Sequence, residues 1–252
     1  MYFHRNRAAV AATLGCLLLS GCATDTPKSA HQNKEEYLVR SFAPNQLSKS
    51  LLETATQPTE KPLPFNKLTV KQTTTFKYAT GMTMEWSSDI VYKNAGNGLI
   101  EKVVTDYSNG IESYTSFALT YRGIYPLIWQ VIYPNNVKMP VIGRAKSISQ
   151  IDTSLDKPSL NYMYQASWNN PRARDGDRSM SCTSAGTYSA SKLNAKMQGD
   201  AREYTCSVTN DNGIADSQQS YVYLDAYGVA LIKGMKKTNM HFTWHFDEFK
   251  VE

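Results

Sequence analysis

The chain has 252 residues, 27 basic and 22 acidic side chains and a formal charge of +5 at neutral pH. With no basic run and so many carboxylates, this balance gives nucleic acid no footprint. The length is enough to bury a real core, as one large domain or two small ones.

The first 21 residues read as a leader. Arg5 and Arg7 form a positive start, and Ala8 to Leu19 is almost wholly apolar. That run falls short of the roughly 20 apolar residues needed to cross a bilayer, but it suits the core of a signal peptide, which is set aside in fold reasoning. It ends in Leu19-Ser20-Gly21-Cys22. This motif resembles the lipobox of bacterial lipoproteins, where small residues thread the peptidase and the Cys thiol receives the diacylglyceryl group. Cys16 is a poor rival, with Thr13 three residues before it. The resemblance implies fatty acylation (palmitate-type chains) at Cys22 and a stable membrane anchor, because several chains hold a protein where one does not. Ala23, in place of Asp, implies the outer membrane by the sorting rule of that class, with the domain expected on the periplasmic face.

Residues 22–66 read as anchor and tether, punctuated by Pro27, Pro44, Pro58, Pro62 and Pro64, with Ala23 to Lys34 flexible. A short helix is expected within it. Asn45 would cap a run in which Leu47, Leu51 and Leu52 share a face, and Pro58 would close it. From residue 67 to 252 the pattern has period two. Leu68 to Tyr78 is followed by alternating Met82, Met84, Trp86, Ser88, Ile90 and Tyr92, then Leu99 to Tyr107 and Ile111 to Arg122. Asn-Gly and Gly-rich turns separate them, which predicts hairpins. Tyr133 to Lys157 and Asn169 to Ser181 read as long loops. Beyond them Leu160 to Trp168, Tyr204 to Val208, Ser220 to Leu224, Val229 to Met235 and Met240 to Val251 read as strands. About ten strands and no long helix predict an all-β antiparallel meander forming a barrel or a strongly curved half-barrel.

Chemistry-bearing residues are sparse. After the leader, His31, His241 and His245 are the histidines. His241 and His245 sit in a strand alternation, where four residues span about 13 Å, so they cannot share one metal ion. Met240, Phe242, Trp244 and Phe246 are expected on the core face, and His241, Thr243, His245 and Asp247 on the wet face. No nucleophile elbow, zinc-protease motif or phosphate loop is present, so no catalytic residue, metal site or cofactor is assigned and the protein is expected not to be an enzyme. Asp175-Gly176-Asp177 among Arg172, Arg174 and Arg178 lacks the ligand spacing of a calcium loop and reads as a solvated loop. Cys182 and Cys206 are the thiols that the leader does not claim. In an oxidising periplasm they are expected to pair, stabilising by about 3–4 kcal/mol in the chain-entropy model; the alternative is two separate buried thiols.

Ile124 to Pro134 is apolar on both alternating faces. Such a strand is buried on both sides, for instance under the N-terminal helix, or exposes an apolar face for a purpose. In the second case Tyr125, Trp129 and Tyr133 project together and form a candidate ligand or partner surface. Tyr204-Thr205-Cys206 through Tyr221-Val222-Tyr223-Leu224-Asp225 to Gly228 is similar to the periplasmic β half-barrel lipoproteins, some of which cradle acyl chains while others serve secretion or polysaccharide assembly. That resemblance implies two functions. The first is an outer-membrane accessory that docks onto an envelope protein complex. The second is a carrier or sensor for an apolar or lipid ligand, disfavoured because the strands show few small residues to keep a cavity open. Replacing Cys22 by Ala should abolish incorporation of a fatty-acid probe in cells; label retained on the variant would remove Cys22 as the anchor.

Overall fold

The computed structural model describes residues 25–56, 61–210 and 212–252. Cys22 and the leader lie outside the described residues, as do Pro58 and Asp211. Twelve antiparallel strands follow one another around a closed barrel: β1 (Lys67–Tyr78), β2 (Thr83–Gly96), β3 (Leu99–Ser108), β4 (Ile111–Tyr121), β5 (Tyr125–Ile132), β6 (Gly143–Ile151), β7 (Ser159–Trp168), β8 (Gly176–Ser189), β9 (Asp200–Thr209), β10 (Ala215–Leu224), β11 (Val229–Lys237) and β12 (Met240–Val251). β12 returns to pair with β1, so no sheet edge is left unpaired. The two extra strands, β6 and the first part of β8, lie in the stretches expected to be loops. β8 is rich in Ser, Thr and Gly, and its apolar signal reduces to Met180 and Cys182, both buried.

The ladders are unequal. β1 and β2 share eleven residue pairs from Lys67–Lys93 to Lys77–Thr83. β5 and β6 share two, Ile128–Arg144 and Trp129–Gly143, and β11 and β12 share four. Both short seams are bridged from outside the ladder. Asn194, in the β8–β9 connection, donates to the carbonyls of Phe246 (3.0 Å) and Asp247 (3.1 Å) on β12.

The other seam lies beneath helices. The expected tether is largely helical: α1 (Pro27–Gln32), α2 (Lys34–Phe42) and α3 (Lys49–Ala55), with a 3-10 turn at Pro44–Gln46. Thr26 caps α1 and Ser48 caps α3, so the cap is not Asn45. α2 packs on β3 and β4, and α3 on β6. Tyr37, Leu38 and Phe42 are buried, with the Phe42 ring stacked on Phe117 of β4 at 5.7 Å. Each such side chain contributes about 1.5–3 kcal/mol, and that burial is what orders a segment whose composition alone suggests freedom. A polar clamp adds to it: His31 and Lys34 both reach Glu112 at the start of β4, at 2.6 and 2.8 Å.

One end of the barrel is pinched shut. Asn97-Gly98 and Asn109-Gly110 make the expected hairpin turns with positive φ at both positions. The β4–β5 turn uses Arg122-Gly123 instead, at φ 48° and 81°. Arg122 tolerates that backbone because its side chain is 2% exposed and fully engaged: it donates to the carbonyls of Gly228 (3.1 Å) and Lys61 (2.5 Å). The Arg122 carbonyl accepts from Ala230 of β11 at 2.8 Å, five strands away around the ring. A Cβ on Gly123 would lie 2.4 Å from the Ala230 carbonyl oxygen. Gly110 has a similar φ of 76° but open space around it. Gly110→Ala should therefore cost about 1–2 kcal/mol, the left-handed backbone penalty, and Gly123→Ala should cost clearly more, because the β4–β5 turn must also leave β11. Urea unfolding of the two variants measures the difference.

Candidate functional site

The pinch leaves a chamber above it. A cavity of about 460 Å³ is lined by residues of every strand except β6, which identifies it as the barrel lumen. Its space comes from β4, where Ser116, Ala118 and Thr120 occupy successive inward positions. These are the small residues whose apparent scarcity counted against a cavity. They alternate with Phe117 and Leu119, which are buried on the opposite, helix-covered face. Trp129, Tyr164, Trp168 and Trp244 supply much of the wall. The Trp129 ring lies edge-on to Tyr164 and Trp168, at 6.1 and 5.5 Å. It also covers Gly143, where a Cβ would fall 2.3 Å from the indole. Large side chains at the short β5–β6 seam thus need a glycine opposite them.

Sequential antiparallel strands place the β1–β2, β3–β4, β5–β6 and β9–β10 connections together at the end away from the pinch. Exposed apolar side chains gather there: Met82, Ile111 (73% exposed), Tyr133, Val137 (94%) and Ile214 (61%). They rim the unpinched end of the chamber.

Among the described residues, three charged groups face the lumen. Asp106 accepts from Ser88 at 2.5 Å; burial raises its carboxyl above the ordinary range while the Ser88 and Tyr114 hydrogen bonds pull it back. Arg178, assigned to the solvated loop by sequence, instead lines the chamber on β8 beside Tyr164. Its loop neighbour Asp175 is the one at the surface, in an ion pair with Lys146 at 2.7 Å. Lys102 projects from β3 between the flanking pairs Tyr92 and Ala118. Burial alone lowers its ammonium to about 8. Among the described residues it has no hydrogen bond and no ion pair.

The three aromatics expected on one surface do not share one. Leu119 pairs with Ile128 but Thr120 pairs with Pro126, so Leu127 is an extra residue, a bulge that reverses the alternation. Tyr125 therefore lies on the face opposite Pro126 and is fully buried, its ring 4.8 Å from Tyr162. Trp129 faces the lumen. Tyr133 falls just beyond β5, half exposed, against the lumen-lining Tyr114 at 5.6 Å. Helical cover of the outer face accounts for the apolar residues Ile128 and Ile132. Cys182 and Cys206 form a disulfide between directly paired residues of β8 and β9. His241 and His245 are exposed on β12, with Phe242 and Trp244 on the inner side.

No family model and no curated protein matches the chain. Two solved structures are similar to it. One is a DUF1329 family protein from Desulfovibrio piger, at 7% identity over 90% of this chain and 94% of that one, with a TM-score of 0.37. The other is a β-barrel-like protein of domain of unknown function DUF1849 from Brucella abortus, at 6% identity over 75% of this chain and 99% of that one, with a TM-score of 0.40.

The Lys102 environment has a pH signature. A lysine whose folded value is depressed holds fewer protons than the unfolded chain between about 8 and its ordinary value near 10.4. Stability therefore rises with pH through that window, by up to about 3 kcal/mol at 1.36 kcal/mol per unit. Above it, the buried tyrosines Tyr92, Tyr114 and Tyr221, whose hydroxyls burial raises, reverse the slope. Urea unfolding from pH 7 to 10 should show the rise in the native protein. In Lys102→Met the rise should be absent, and the variant should be the more stable of the two at pH 7.

Proposed function

We propose that this chain is a non-enzymatic carrier or sensor, held to the outer membrane by acylated Cys22, that binds an apolar ligand inside its barrel. The observation that supports this best is the chamber. Small residues on β4 hold open about 460 Å³, within the roughly 300–1,000 Å³ range of small-molecule sites. Its aromatic walls suit an apolar body, and unfilled apolar volume costs stability that a purely structural barrel would recover by larger side chains. The exposed apolar rim supplies a route from a membrane or a delivering protein.

A second reading, an accessory that docks onto an envelope complex, draws on the same rim. Ile111, Val137 and Ile214 are exposed at three separate turns of one end and suit a protein partner. It assigns no role to the chamber, and so ranks second.

Trp129, Trp168 and Trp244 all line the lumen, so their fluorescence reports occupancy. Titration of the purified protein with 1-dodecanol should saturate at one site per chain. Ala118→Phe, which fills the space beside Trp129, should weaken binding by about tenfold or more while its thermal unfolding stays cooperative. Failure of the native protein to bind any apolar probe would end the carrier reading and favour docking.

A further inference from the structure

We infer that the lumen ligand is an amphiphile with an anionic head, and that Lys102 is the group that receives this head. The inference rests on the carrier reading and deepens it.

The geometry is that of a charge in a largely aromatic and aliphatic chamber with, among the described residues, no counter-charge in contact with it. Lys102 lies on the inward face of β3 between Ile100 and Val104. Across the ladders it meets Tyr92 and Ala118, neither of which is a counter-ion. Asp106 is the nearby lumen acid, but it is four residues further along β3, about 13 Å at the ordinary strand rise. It is already held by Ser88 and Tyr114. Arg178 stands on β8, across the barrel. An ammonium half-buried among aromatic and aliphatic side chains without a partner is costly, and the lowering of its pKa has the same cause. A methionine or leucine would fill the same volume without that cost. A structural role would thus be better served by an apolar residue, whereas an anionic headgroup would neutralise the ammonium and be desolvated together with its chain. The aromatic wall from Trp129 to Trp168 then contacts the apolar body.

Carboxylate and phosphate ester heads share this chemistry, and the test separates them. Dodecanoate, dodecyl phosphate, 1-dodecanol and dodecyltrimethylammonium are titrated into the purified protein at pH 7, where Lys102 is charged, with tryptophan fluorescence as the readout. The anionic probes should bind about ten- to a hundredfold more tightly than dodecanol, and the cation more weakly. The tighter of the two anions names the head. Lys102→Met should lose the preference for the anions over dodecanol. Arg178→Gln should keep that preference. If anion and alcohol bind alike, the inference is overturned while the carrier reading stands. The assignment to Lys102 is overturned if Lys102→Met keeps the preference or if Arg178→Gln loses it. Binding of none of the four probes overturns the carrier reading and this inference together.

Discussion

A ring of twelve strands encloses more space than inward side chains readily fill, because barrel diameter grows with strand number. Everything distinctive in this molecule answers that constraint. At one end the space is removed: the Arg122-Gly123 turn leans across the ring until its backbone bonds to Ala230, and Arg122 ties in Lys61 and Gly228. Farther along, the space is kept, because β4 offers Ser116, Ala118 and Thr120 where larger residues would close it. The same strand thus serves two surfaces. Its small inward residues make the chamber, and its large outward ones, Phe117 and Leu119, make the seat for the N-terminal helices.

Much of the fold was legible in the sequence where a strand has one apolar and one polar face. β12 is the clearest case, with Phe242, Trp244 and Phe246 inward and the histidines outward, and the Asn-Gly turns fixed two hairpins. Legibility failed where the local signal was weak or was overridden by distant contacts. β6 and β8 read as loops because Ser, Thr and Gly fill much of their solvent-facing side, leaving few apolar residues to mark the alternation. The β4–β5 turn carries Gly123 as its local signal, but the left-handed Arg122 before it has none, because its backbone is supported by partners far away in sequence. The Leu127 bulge leaves no local mark either, yet it decides that Tyr125 and Trp129 lie on opposite faces.

The chamber was harder still to see. Lys102 and Asp106 alternate with Ile100 and Val104, but Leu99, Glu101, Val103 and Thr105 make an equally mixed opposite face. Nothing in β3 alone says which face is the lumen. That is settled by the helices, which cover Leu99 and Val103; α3 falls where a short helix is expected, whereas α1 and α2 lie in a stretch whose polar composition reads as tether. The weak helical signal of residues 25–42 therefore also conceals the charged groups of the interior.

The two short seams have a mechanical meaning. β5–β6 and β11–β12 stand diametrically opposite in the ring, with two and four paired residues. They divide the barrel into two six-stranded shells, β12 with β1 to β5 and β6 to β11. Each seam carries its own external fastening. The N-terminal helices run from β3 and β4 to β6 across one, and Asn194 reaches from the β8–β9 connection to β12 across the other. Local opening begins where the fewest hydrogen bonds must break. The barrel therefore behaves less as a rigid pipe than as a clasped bivalve, whose compliance is set by two latches rather than by its long ladders.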